Sequence, residues 1–360
     1  MTIKVMIVDD SIFIRAMLKQ IIENDPKGQL KVVASAKDGE DAISKLNSFD
    51  IDVITMDVEM PKKNGLETVK EIMSTNPKPI VMLSSLTKKG AKETIEALSY
   101  GAIDFIAKPE KQMDFIQLKT EICEKLRIAS QTKQMKRTTY EAISKPLHKY
   151  ETKGQTQKIQ SVQKAQQEQL TNLVLIGCST GGPKALQTIV SQIPKELPAG
   201  MVIVQHMPDG GYTTSLANHL NNNCVFLVKE AEDGDEIKNG TVYVAPGGYH
   251  TEIFNRSGKL RIVLNKREPV SGHRPSVDTM FDSGARVDTN VPRYGIVLTG
   301  MGSDGTKGSE ALKKVGATII AESEETAVIF GMPKQVINKN LADNVLRLEE
   351  IIPHLAKKLK

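Results

Sequence analysis

The rhythm of short apolar runs is what most restricts the fold of this chain. Over its first 129 residues the runs Val5–Val8, Lys31–Ala34, Val53–Met56, Ile80–Leu83 and Phe105–Ile106 have the length of strands. Between them lie longer stretches with helical spacing, Ile12–Ile22, Asp41–Leu46, Leu66–Met73, Ala91–Leu98 and Phe115–Leu126. Five strands alternating with five helices predict a doubly wound α/β unit, a parallel sheet covered on both faces.

The rhythm then stops. Residues 129–168 are rich in Gln, Lys, Thr and Ser and poor in large apolar side chains, so they can bury little and read as a flexible linker, with transient helix near Gln163–Gln169. Alternation resumes at Leu173–Ile176, Val202–Gln205, Val225–Lys229, Ile296–Thr299 and Thr318–Ala321. An antiparallel interruption is expected at Thr241–Ala245, Tyr249–Phe254 and Leu260–Leu264, broken by Gly247-Gly248 and Ser257-Gly258 turns. The expected organisation is a first domain over residues 1–128, a linker over 129–168 and a second, mainly parallel, Rossmann-like α/β domain with an inserted β-hairpin over 169–360.

Charge and composition exclude several classes. The net charge of +5 would suggest nucleic acid, but residues 130–170 carry the whole excess and the flanking segments are near neutral. A DNA-binding output would be a small basic unit with a helix-turn-helix, and about 190 near-neutral α/β residues contradict it. Runs such as Val202–Val204 or Gly295–Leu298 fall far short of the ~20 apolar residues that span a bilayer. The first residues meet Asp9 and Asp10 too soon for a secretory signal, and Cys123, Cys178 and Cys224 form no framework, so a reducing cytoplasm is expected.

Open α/β sheets place their sites at strand C-termini. Asp9 and Asp10 follow the first strand of this chain, Asp57 ends the third, Ser84 ends the fourth and Lys108 follows the fifth. Three carboxylates brought together repel one another unless a hard cation joins them, and Mg²⁺ suits such oxygen ligands. An Asp-Asp pair alone would pass for a solvated turn. The set VDDS, MDVEMPKKNG, MLSS and IAKP, however, closely resembles the receiver domain of two-component response regulators over about 120 residues. The resemblance implies that Asp57 accepts a phosphoryl group, that Asp9 and Asp10 help bind Mg²⁺, and that Lys108 contacts the phosphoryl group. It also implies that Ser84 is the switch hydroxyl and that Phe105 occupies the aromatic switch position.

In the second domain, Leu173–Ile176 runs into Gly177-Cys178-Ser179-Thr180-Gly181-Gly182-Pro183 and then a helix. A serine on such a turn is exposed beside helix N–H groups that can stabilise an oxyanion, and the segment matches G-x-S-x-G. A Gly-rich strand-to-helix turn is equally a nucleotide cradle, although neither GxGxxG nor GK[ST] is present. Cys178 offers a thiol alternative, expected to point into the core. Of six histidines, His148 lies in the linker, His354 in the basic tail, His219 on a polar helix and His250 near the hairpin, which leaves His206 and His273. His206 follows a strand on the same sheet edge as Ser179, and Asp304 lies in the glycine turn after another strand. Alone, each passes for a capping or satisfied polar residue; together they supply nucleophile, base and orienting acid.

The order Ser…His…Asp is not that of the α/β-hydrolases. IGCSTGGP, VQHMP, SGHRPSVD and LTGMGSDG instead closely resemble the C-terminal domain of the chemotaxis methylesterases, the CheB family, over about residues 171–355. The resemblance implies Ser179 as nucleophile, His206 as general base and Asp304 as orienting acid, with Thr180 and Met301 as active-site neighbours near the oxyanion hole. It further implies a protein-glutamate methylesterase that also deamidates glutamine, without a cofactor in the esterase domain. The implied partners are a chemotaxis histidine kinase as phosphodonor and methylated chemoreceptor cytoplasmic domains as substrate, with no nucleic acid and no membrane insertion. A tether of about 40 residues holds two units at millimolar effective concentration, so the receiver is expected to inhibit the esterase until phosphorylated.

Overall fold

A computed structural model describes residues 2–109, 112–132 and 169–359 of the chain. The expected linker lies outside the described residues from residue 133 on, and so do His148 and the helix expected up to residue 168. The chain divides into two units, residues 1–148 and 149–360.

In the described residues of the first unit strands and α-helices alternate, with a 3₁₀ segment, Gln112–Leu118, before the last helix. Its strands are β1 (Ile3–Val8), β2 (Leu30–Ala36), β3 (Val53–Asp57), β4 (Ile80–Ser84) and β5 (Asp104–Ala107); its helices are α1 (Ile12–Glu23), α2 (Gly39–Leu46), α3 (Gly65–Thr75), α4 (Lys88–Ser99) and α5 (Lys119–Gln131). The sheet order is β2-β1-β3-β4-β5, parallel throughout. Val5, Ile7, Val53, Val81, Leu83 and Ile106 project to one face of the sheet, where Leu18 and Ile22 of α1 and Ile122 and Leu126 of α5 cover them. Local chemistry sets the helix starts: Ser11, Asp38, Asn64 and Thr87 each accept a backbone N–H of the first turn, and Asn64 with Glu67 forms a reciprocal capping box.

In the second unit the strands are β6 (Leu173–Cys178), β7 (Gly200–Gln205), β8 (Leu227–Glu230), β9 (Thr241–Val244), β10 (His250–Arg256), β11 (Lys259–Asn265), β12 (Arg293–Val297), β13 (Thr318–Glu322) and β14 (Asn344–Leu346). The helices are α6 (Gly182–Ser191), α7 (Tyr212–Asn221), α8 (Val277–Arg286), α9 (Thr306–Lys314), α10 (Met332–Asn338) and α11 (Leu348–Lys358). Seven strands form one sheet in the order β14-β13-β12-β6-β7-β9-β8, and each neighbouring pair is parallel. Every residue of β6 and β7 is buried, as expected of central strands covered on both faces. Leu173, Leu175, Val202 and Val297 pack against Val277, Met280 and Phe281 of α8.

One expectation changes. The segment Thr241–Ala245 is not part of an antiparallel meander; β9 lies in the main sheet, parallel to both β7 and β8. Of the three strands expected there, β10 and β11 pair antiparallel with each other, as a separate two-stranded ribbon. The reason is burial: all four residues of β9 are buried, whereas the ribbon exposes Phe254 and Val263 on its outer face.

The topology positions two candidate sites. In the first unit the strand order reverses direction between β1 and β3, and in the second between β6 and β12. Loops leave in opposite directions at such points and open a crevice at the strand C-termini.

Candidate functional site

At the crevice of the first unit the side chains expected from the motifs converge. Carboxylate oxygens of Asp9, Asp10 and Asp57 lie within 4.8 Å of one another. Asp9 and Asp57 are buried and Asp10 is exposed. The Lys108 ammonium contacts Asp9 Oδ2 at 2.9 Å and Asp57 Oδ2 at 2.7 Å. Arg15 donates to the carbonyls of Asp9 and Asp10, at 2.7 and 2.9 Å, and pins the loop that carries the acidic pair. Burial pushes the Asp57 carboxyl up to about 7; Lys108 opposes the shift and Asp9 adds to it. A cluster of hard oxygen donors fits Mg²⁺, which would relieve the repulsion among these carboxylates.

The loop after Asp57 is built around one close approach. A Cβ at Gly65 would lie 2.0 Å from the Asp57 carbonyl, so α3 can start against β3 only with glycine there. Ser84 is fully buried and accepts from Thr94 Oγ1 of α4 at 2.6 Å, while donating to the Ser85 carbonyl at 3.3 Å. Its hydroxyl is therefore engaged with α4. Phe105 is buried, with the Lys125 ammonium 5.6 Å from its ring centre.

In the second unit, β6, β7 and the β12–α9 loop bring Ser179, His206 and Asp304 to one edge. The strands β6 and β7 run in register to Cys178 beside Gln205, and His206 N–H donates to the Cys178 carbonyl at 3.1 Å. Ser179 and His206 thus follow directly on adjacent strands. Ser179 N–H donates to the Thr299 carbonyl at 3.0 Å, which fixes the Ser179 loop to the segment that follows β12. A Cβ at Gly300 would stand 2.8 Å from Ser179 Cβ, so the glycine makes room for the serine. The Gly300 carbonyl in turn accepts from Gly331 and Met332 N–H. Met301, next along this loop, is 38% exposed, while Thr180 is buried with its carbonyl accepting from Thr299 Oγ1 at 2.9 Å.

His206 Nε2 lies 2.7 Å from Asp304 Oδ2. Asp304 also accepts from Ser276 Oγ (2.9 Å), Val277 N–H (2.7 Å), Asp278 N–H (2.9 Å) and Gly305 N–H (3.1 Å). Three of these donors are the cap and first turn of α8, where the helix dipole also favours an anion. Burial works to raise the Asp304 carboxyl, but His206 and the N–H donors together hold it down at about 2. A carboxylate so held only accepts, so the shared proton belongs to His206 Nε2. That leaves the lone pair on Nδ1, which is buried and makes no hydrogen bond here. The His206 ring stacks on His273, with centroids 3.8 Å apart and planes 14° from parallel.

Other chemistries fit this edge less well. Ligand atoms of His206, His273 and Asp304 cluster, but the two imidazoles stack face to face in near-parallel planes, which is not the convergent arrangement of ligands around one ion. A nucleotide cradle needs free N–H groups, yet those of Ser179 and Gly182 are bonded within the fold. The Cys178 thiol is fully buried and donates to Gln205 Oε1 at 3.1 Å; burial pushes it well above its ordinary range, which leaves it inert as a nucleophile.

Several residues of the site were not singled out from sequence. Ser276, Val277 and Asp278 grip Asp304; the S-V-D run before a helical pattern signals a helix cap, but not which carboxylate it would meet. Gln205 and Glu322 lie behind the loop. Glu322 Oε2 accepts Thr299 N–H at 2.8 Å, and burial pushes this carboxyl up to about 7 against that bond. Asp278, beside Asp304, is likewise pushed up to about 6, chiefly by burial.

Comparison with known proteins covers both units. Residues 5–119 match the response regulator receiver domain, and residues 174–355 match the CheB methylesterase domain. A protein-glutamate methylesterase/protein-glutamine glutaminase from Halalkalibacterium halodurans is 43% identical, over 99% of this chain and 99% of its own length. One from Thermotoga maritima is also 43% identical, over 96% of this chain and 95% of its own. The crystal structure of the Thermotoga maritima CheB methylesterase catalytic domain aligns with a TM-score of 0.50 and 45% identity, covering 52% of this chain and 98% of that one. With its two units matched in order and its full length shared with these relatives, the chain belongs to the CheB family of receiver-linked methylesterases.

Proposed function

We propose that this chain is a phosphorylation-controlled protein-glutamate methylesterase that also deamidates glutamine, acting on chemoreceptor side chains through Ser179, His206 and Asp304. The observation that carries the mechanism is the His206–Asp304 pair, which leaves a buried, unpaired His206 Nδ1 at the edge that bears Ser179. In this reading His206 Nδ1 takes the Ser179 proton as Oγ attacks the γ-ester carbonyl. The imidazolium is stabilised by Asp304, which stays ionised. His206 then returns the proton to the departing methoxide, and methanol leaves. Water repeats the sequence on the acyl-enzyme, giving glutamate. A primary amide follows the same course, with ammonia leaving.

The oxyanion requires donors other than the Ser179 N–H, which is bonded to Thr299. Thr180 and Met301, on the two loops that flank Ser179, are the neighbours assigned to that region.

In the receiver, Asp57 is the assigned phosphoryl acceptor. Asp9, Asp10 and Asp57 would hold Mg²⁺, whose charge offsets that of the incoming phosphoryl oxygens. Lys108 stands 2.7 Å from Asp57 and is placed to pair with them. Ser84 would serve as switch hydroxyl on leaving Thr94, and Phe105 as the aromatic that responds. The phosphodonor in this reading is a chemotaxis histidine kinase, and the substrate is the methylated cytoplasmic region of a chemoreceptor, which places the enzyme in the cytoplasm. No described helix is long and apolar enough to cross a membrane.

The test is methanol release from methylated receptor, with and without acetyl phosphate and Mg²⁺. Release that rises with phosphodonor and disappears in Ser179→Ala supports the reading; release unchanged in Ser179→Ala refutes it.

A further inference from the structure

Beyond the last rung of the β6–β7 ladder, where His206 N–H meets the Cys178 carbonyl, the two chains must part to form their loops. The nucleophile and the base sit on those departing segments. One side chain spans them. Gln205 is 3% exposed, and its Nε2 donates to the Ser179 carbonyl at 3.0 Å and to the His206 carbonyl at 3.0 Å. Its Oε1 accepts from Cys178 Sγ at 3.1 Å. The orientation of the amide follows from these partners: a flipped amide would set its oxygen against two carbonyl oxygens.

We infer that Gln205 is a positioning residue for the ester hydrolysis, fixing the peptide of Ser179 relative to that of His206 through the two protons of a single amide. The inference rests on the assignment of Ser179 and His206 as nucleophile and base. Two donors on one planar group hold both carbonyls at a set separation, which neither a hydroxyl nor a water could do as rigidly. Water has no room to substitute, because α6 closes over the amide: a Cβ at Gly182 would lie 1.8 Å from Gln205 Oε1. Without the amide, the Ser179 carbonyl keeps only the Gly182 N–H (2.8 Å) and the one side-chain tie between the two peptides is gone, so the loops can part by the fraction of an ångström that separates a near-attack geometry from an idle one. Displacement on the scale of 1 Å costs up to about a hundredfold in rate.

The full-length chain tests this, with Gln205→Met, which keeps length and bulk but removes the donors, and Gln205→Asn, which keeps the amide but cannot reach both carbonyls. Gly182→Ala drives the amide aside without altering it. Steady-state methanol release and the rate of fluorophosphonate labelling of Ser179 are measured beside a thermal melt. Each folded variant should lose roughly ten- to a hundredfold in kcat and in labelling rate, with KM within about twofold, since the lesion lies behind the reacting atoms. Folded Gln205 variants with kcat within about threefold of the parent overturn the inference, as does a loss confined to KM. Failure of both Gln205 variants to fold would make the residue structural and overturn it equally. Ser179→Ala in the same series separates the two readings. If it is inactive while the Gln205 variants are not, only the positioning role falls; if it retains activity, the nucleophile assignment falls.

Discussion

Glu322→Gln should change how the stability of the catalytic unit depends on pH. Glu322 ends β13 with no exposed surface, and its carboxyl is pushed from an ordinary 4.5 up to about 7 by burial. A group that binds its proton more tightly folded than unfolded stabilises the fold while protonated. That contribution is complete below the ordinary value and is lost as pH rises through the folded one. A difference of about 2.5 units corresponds to about 3 kcal/mol, of which roughly 2.5 falls between pH 5 and 8.5. Glutamine keeps an acceptor for Thr299 N–H but cannot ionise, so the variant should lack this slope. Its added NH₂ will cost a pH-independent amount if it finds no acceptor, so the comparison is of slopes and not of absolute stabilities. Asp278 also titrates high, at about 6, but it is present in both proteins and cancels. The assay is pulse proteolysis in urea at pH 5 and 8.5, following the catalytic-unit fragment so that the raised Asp57 of the other unit does not contribute. The parent should lose roughly 2.5 kcal/mol more than Glu322→Gln over that interval. Slopes that agree within about 0.5 kcal/mol would show that Glu322 is ionised at ordinary pH in the folded protein, and the argument would fail.

Ser179→Ala or His206→Ala should lower the esterase rate by about three orders of magnitude or more, and Asp304→Asn by somewhat less. The Ser179→Ala/His206→Ala double variant should be little worse than either single one, so multiplicative losses in methanol release would count against a shared mechanism. Acetyl phosphate with Mg²⁺ should label the chain at Asp57 and leave Asp57→Asn unlabelled; comparable labelling of the variant removes Asp57 as acceptor. The fragment 169–360 should release methanol faster than the unphosphorylated full chain and ignore phosphodonor. A fragment rate equal to the unphosphorylated rate, with activation of the full chain intact, would replace inhibition by positive action of the receiver.

The receiver was legible because its functional groups sit at fixed offsets from strands that the sequence marks clearly. Asp9, Asp57, Ser84 and Lys108 each end or follow an apolar run bounded by turn residues, so naming the strands places the groups. The meeting of Ser179, His206 and Asp304 at one sheet edge was legible for the same reason. The parts that escaped depend on contacts between segments far apart in the chain. β9 is near the ribbon in sequence, while its pairing with β7 and β8 depends on two crossovers that no local pattern signals. β14 escaped because it has only three residues and leaves Val345 half-exposed, too little for an apolar pattern. Gln205 is a polar residue inside a buried strand, and only the meeting of β6 with β7 shows that its amide has three partners waiting.

The grip of α8 on Asp304 bears most directly on how the proton moves. A carboxylate in a buried site can either orient a histidine or take its proton, and the surroundings decide which. Here four donors besides His206 converge on Asp304, three of them from the cap and first turn of one helix. Protonating Asp304 would turn an oxygen lone pair into an O–H facing donors that have no other acceptor, a cost paid in several hydrogen bonds at once. These donors add to His206, the larger influence, in holding the carboxyl at about 2 in spite of its burial. In the proposed mechanism the proton taken from Ser179 would therefore stay on His206 until the leaving group collects it, with Asp304 acting by position and charge. Asp304→Asn is for the same reason a poor imitation of the native group. Whichever way its amide turns, the NH₂ meets either the His206 Nε2–H or the N–H groups of α8, so the variant should lose the histidine's orientation before it loses anything else.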